Sequence, residues 1–60
     1  MKNAKFTVIL KNGQPWLEWD QYGIRYLRIW KATSDRPYIK WMGDTWPLNE
    51  DMINQLRALQ

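Results

Sequence analysis

The sixty-residue chain contains no cysteine and no histidine. The first absence excludes disulfides and thiolate metal sites, and the second removes the commonest metal ligand and the usual general base. No apolar run approaches the roughly 18 residues of a membrane-spanning helix. The apolar stretch in MKNAKFTVILKNG is too short and too β-branched for a signal peptide. The expectation is a soluble, cytoplasmic protein that uses no metal, no cofactor and no membrane. Repeats, low-complexity segments and linkers are also missing, so residues 1–60 are read as a single domain. A chain of this length buries only about 60 % of the surface its unfolded form exposes. Rings are the available compensation: five Trp, three Tyr and one Phe, each able to bury about 150 to 250 Å².

The segment FTVILKNGQPWLEW is two apolar runs hinged on Asn12-Gly13. That dipeptide is the strongest short-range hairpin signal, because both central residues of a type I′ turn need positive φ. A two-residue loop pairs Lys11 with Gln14, Leu10 with Pro15, Ile9 with Trp16, Val8 with Leu17, Thr7 with Glu18 and Phe6 with Trp19. Apolar residues then oppose apolar ones. Pro15 falls at a pair that is not hydrogen-bonded to strand one, so its missing N–H leaves that ladder intact. The next turn, DQYG, has Asp first and Gly last, as in a type I turn continued into a glycine bulge. It sets Leu17 against Leu27 and Trp19 against Arg25 on one face, and Glu18 against Tyr26 and Trp16 against Arg28 on the other. A plain four-residue loop would exchange these faces.

The run RPYIKWM is a fourth extended segment, placed to join the sheet or to flank it. The final stretch, TWPLNEDMINQLRALQ, predicts a helix over about 50–59. Asn49 serves as N-cap, Glu50 and Asp51 lie in the dipole-favoured first turn, and Leu48 is placed to staple onto Ile53. Met52, Ile53, Leu56 and Leu59 form its apolar stripe, with Asn54, Gln55 and Arg57 outside. The fold class is therefore α+β: an antiparallel sheet of three or four strands over about 5–42, packed on one C-terminal helix. The helix is expected to cover the face with Phe6, Val8, Leu10, Leu17, Leu27 and Ile29. Nothing then remains to cover Ile9, Trp16, Tyr26 and Trp30.

Charge is distributed unevenly. Residues 1–41 carry eight Lys or Arg against three acids, and residues 42–60 carry Arg57 against Asp44, Glu50 and Asp51. Cations interleaved with rings on a sheet suit nucleic acid, since cations neutralise phosphate while rings stack on bases. The candidate nucleic-acid-binding residues are Lys11, Trp16, Arg25, Tyr26, Arg28, Trp30, Lys31 and Lys40. A protein partner, met by a regulator or inhibitor or in a homodimer, would use the same rings, because exposed Trp with Arg is also the composition of interface hot spots. Trp19, Trp41 and Trp46 are expected to be structural. Trp16 and Trp30 are open to either role, and Trp16 opposite Arg28 offers a cross-strand cation–π pair. The carboxylates are scattered over turns and the helix start, and Ser34-Asp35 has no base beside it, so no catalytic residues are assigned and an enzyme is not expected.

Three strands followed by one helix, carried here by TVILKNGQPWLEW, IRYLRIWK and NEDMINQLRAL, resembles the arm-binding N-terminal domain of phage-type integrases and the plant AP2 domain. The resemblance implies DNA binding through the sheet; RPYIKWM is an addition to that pattern. A basic, Trp-rich chain of this size is also similar in style to small accessory proteins of temperate phages, which implies a host-directed regulator.

Overall fold

The computed structural model describes residues 6–20 and 23–60. In chain order the elements are β1 (Phe6–Lys11), β2 (Gln14–Trp19), β3 (Arg25–Arg28), β4 (Tyr38–Trp41), β5 (Asp44–Pro47) and α1 (Glu50–Leu59). They form a three-stranded antiparallel sheet, order β1-β2-β3, and a two-stranded one, β4-β5, with one C-terminal helix. This is the expected α+β class.

The first hairpin has the predicted register from Phe6↔Trp19 to Lys11↔Gln14. Asn12 and Gly13 take φ of 54° and 78°, as a type I′ turn requires. Strand β3 has the glycine-bulge register, Trp16↔Arg28 through Trp19↔Arg25. The central residues of its turn, Gln21 and Tyr22, lie outside the described residues, as do Lys2 and Lys5 of the basic N-terminal part. Pro15 turns its missing donor toward β3. There its carbonyl accepts from the Ile29 N–H at 3.3 Å, and the named strand ends one residue earlier.

The second half of the chain departs from expectation. The run at 36–42 flanks the first sheet, one of the two expected placements, but it does not end at Met42. It turns at Met42-Gly43, with φ of 55° and 82°, into β5, a strand in place of the expected approach to the helix. The register Tyr38↔Pro47, Ile39↔Trp46, Lys40↔Thr45 and Trp41↔Asp44 makes a second two-residue hairpin. Met is a poor occupant of the left-handed region, which hid this turn. The two sheets meet at an isolated bridge, Trp30↔Tyr38. Its bonds run from the Trp30 N–H to the Tyr38 carbonyl at 2.7 Å and from the Tyr38 N–H to the Trp30 carbonyl at 3.1 Å.

The core consists of Val8, Leu17, Ile29, Ile39, Leu48, Met52 and Leu56, with Phe6, Leu27, Ala32 and Ile53 packed against it. It is thus covered by the second hairpin as well as by the helix. Two residues expected inside are outside: Leu10 is 46 % exposed and Leu59 is 40 % exposed. The helix, about 15 Å long for its ten residues, meets β1 at Phe6 and Val8, short of the turn where Leu10 lies.

Asn49 caps α1 as predicted, its Oδ1 accepting from the Met52 N–H at 2.9 Å. Two side chains assigned to the outer face of the helix instead attach it. Gln55 Oε1 accepts from the Val8 N–H at 3.0 Å, and Gln55 Nε2 donates to the Phe6 carbonyl at 3.4 Å. Arg57 donates to the carbonyls of Ala32 at 3.2 Å and Ser34 at 3.1 Å, tying the helix to the loop between β3 and β4. The Ser34 hydroxyl is itself occupied, donating to the Lys31 carbonyl at 2.7 Å and accepting from the Arg36 N–H at 3.2 Å.

Candidate functional site

Alternation along β1, β2 and β3 puts Thr7, Ile9 and Lys11, Gln14, Trp16 and Glu18, and Tyr26 and Arg28 on the face opposite the core, with Glu18, opposite Tyr26, as its acid. The bridge extends that face. Trp30 pairs directly with Tyr38, so β4 presents Tyr38 and Lys40 on the same side, with Ile39 turned to the core. None of Ile9, Trp16 and Trp30 is in the buried core, and Tyr26 is 42 % exposed.

Cations and rings interlock across this surface. The Lys11 ammonium lies 4.4 Å from the Tyr26 ring centroid and 5.6 Å from that of Trp16. The Arg28 guanidinium and the Lys40 ammonium each lie 4.3 Å from the Trp30 ring. The expected Trp16 and Arg28 partnership is replaced: they oppose each other in register, but Arg28 turns along its own strand to Trp30 and leaves Trp16 to Lys11. The result is one band running Tyr26, Lys11, Trp16, Arg28, Trp30, Lys40. Beside Trp16, at the hairpin tip, lies a shallow concavity of about 440 Å³ walled by Lys11, Asn12 and Gln14.

Of the eight residues singled out in the sequence, six share this band. Arg25 does not join it, because its register partner is Trp19 on the core side. Its guanidinium sits 5.3 Å from the Trp19 ring and 4.7 Å from that of Trp41, bracing the seam between the two sheets. Lys31 is exposed in the following loop at φ 52°, off the sheet. Asn12 and Gln14, turn and strand residues by their sequence pattern, come to lie beside Trp16 only through the fold of the hairpin.

A second concave feature lies on the core side. Phe6, Trp19, Trp41, Trp46, Pro47 and Met52 are among the residues lining an apolar groove of about 380 Å³ between the hairpins and the helix. Phe6 stacks on Trp19 at 5.8 Å, and Trp41 stands edge-on to Trp19 at 5.1 Å. Trp46, expected in the core, is 48 % exposed at the rim; its indole N–H donates to the Trp41 carbonyl at 3.0 Å. A two-stranded hairpin has too little depth to enclose an indole on its outer strand.

Among the described residues no group of three acidic side chains is clustered to hold a metal ion, and no helix is long and apolar enough to cross a membrane. Comparison with protein-family models, with curated proteins and with solved structures gives no match. The chemistry of the band must therefore be read from its own geometry.

Proposed function

We propose that this protein is a small non-enzymatic module that binds nucleic acid through the outer face of its sheets. The observation that carries the reading is the alternation of three cations with three rings across that face. In the free protein each ring is partly masked by a cation. An exposed cation–π contact contributes about 0.5 to 1 kcal/mol, whereas a base stacked on an aromatic side chain contributes about 1 to 3 kcal/mol. A displaced ammonium or guanidinium also gains a phosphate and releases counterions. Exchange of the internal partner for a nucleotide is favourable on those magnitudes, and the cation masks the ring until the ligand arrives.

The test is an NMR titration of labelled protein with short oligonucleotides at low salt. The indole N–H signals of Trp16 and Trp30 are expected to shift while that of Trp46 stays in place. Arg28→Ala and Lys40→Ala should each weaken binding and lower the slope of log K against log salt by about 0.7 to 0.9, the value of one lost phosphate contact. Unmoved Trp16 and Trp30 signals would refute the reading.

A second reading is a protein partner, as a regulator or inhibitor. The apolar groove edged by Trp41, Trp46 and Pro47 favours it, because a half-exposed indole over an apolar wall is the composition of an interface anchor. A titration that shifts Trp46 with a protein ligand and leaves Trp16 unmoved would select this reading.

A further inference from the structure

We infer that the band takes a single strand of nucleic acid and discriminates against the duplex. The inference rests on the nucleic-acid reading and adds the form of the ligand, on three grounds.

The first is width. Adjacent strands lie about 4.8 Å apart. The two sheets meet at the isolated bridge Trp30↔Tyr38, so the β4–β5 hairpin adjoins the edge of the three-stranded sheet, which itself spans about 10 Å between outer backbones. The major groove of B-form DNA is about 12 Å wide. Such a groove admits a two-stranded ribbon, whereas the face here is a three-stranded sheet with the β4–β5 hairpin against its edge.

The second is the arrangement of charge. A duplex presents two phosphate backbones flanking the groove and calls for two rows of cations with base-reading side chains between them. Among the described residues, the cations of this face, Lys11, Arg28 and Lys40, lie against the rings themselves rather than flanking them on two sides. That placement serves one backbone.

The third is what the rings need. Trp16, Tyr26 and Trp30 can stack only on bases that are free of their own neighbours, and such bases are offered by a single strand. Tyr26 and Trp30 are four residues apart along one extended segment, about 13 Å. Trp16 lies on the neighbouring strand opposite the intervening Arg28. The concavity beside Trp16 is lined also by Lys11, Asn12 and Gln14, residue types able to hydrogen-bond the edge of a base stacked there. A paired base has that edge already engaged.

The experiment compares three fluorescein-labelled ligands of one mixed 12-nucleotide sequence by anisotropy at low salt: single-stranded DNA, single-stranded RNA and the DNA duplex. Either single strand is expected to bind about tenfold or more tighter than the duplex, with quenching of Trp emission. Gln14→Ala, at an exposed strand position, is expected to weaken the single strand several-fold and leave the circular dichroism spectrum unchanged. A duplex bound as tightly as both single strands overturns this inference and leaves the nucleic-acid reading standing. Absence of binding by all three ligands overturns both.

Discussion

Met42 sets the second hairpin at a conformational cost. Its φ of 55° lies in the left-handed region, where a side chain with a Cβ is strained by about 1 to 2 kcal/mol per residue. The side chain recovers little, since it is 79 % exposed. Asn12 occupies the equivalent place in the first hairpin at φ 54°, and Asn tolerates that conformation because its short amide bonds locally. Met42→Asn is therefore expected to stabilise the fold by about 0.5 to 1 kcal/mol, seen as a rise in Tm of a few degrees. An unchanged or lowered Tm would show that the turn carries no such strain. The same comparison explains what could be read in advance at this scale. Asn12-Gly13 and the Asn49 cap declare themselves by residue type, whereas Met42-Gly43 offers Gly43 alone, and Met42 looks like one more strand residue.

At the scale of elements, the helix is held by polar side chains as well as by its apolar stripe. Gln55 supplies an acceptor to the Val8 N–H and a donor to the Phe6 carbonyl, the two groups that β1 turns away from β2. Gln55→Ala leaves the Val8 N–H without that acceptor in a half-buried setting, and is expected to cost about 1 to 2 kcal/mol in chemical denaturation. Asn54→Ala, one residue earlier and exposed, should fall within about 0.5 kcal/mol of the parent. Equal effects would refute the pairing of helix and strand edge. Periodicity placed Gln55 and Arg57 on the solvent side, because it registers the moment of the apolar residues and not the reach of an amide or guanidinium to a backbone group. The first three strands, their register and the helix were legible in turn chemistry and alternation. The second hairpin was hidden, and with it the reason that Arg25 stands between Trp19 and Trp41. The band on the outer face was legible as a set of residues; its order, with Lys11 rather than Arg28 on Trp16, depends on side-chain paths that register alone does not determine.

For the molecule as a whole, the small core leaves little margin. A single hydrophobic core below about 70 residues rarely supplies more than about 3 to 5 kcal/mol. Leu17 and Leu56 are wholly enclosed, and removing such a side chain costs about 2 to 5 kcal/mol. Leu56→Ala is expected to abolish the cooperative thermal transition at 25 °C and above, whereas Leu59→Ala, at an exposed site, should retain it. Retention of a sharp transition by Leu56→Ala would mean that the rings, rather than the aliphatic cluster, hold the structure. The amide of Gln55 has one more consequence. It occupies the places that a neighbouring chain would take in adding a strand to the sheet, so the C-terminal helix acts as a guard against templated self-assembly. A protein cut short before residue 50 loses Met52 and Leu56 from its core together with the cover on the β1 edge, so unfolding accompanied by self-association through exposed strands is the fate to expect of it.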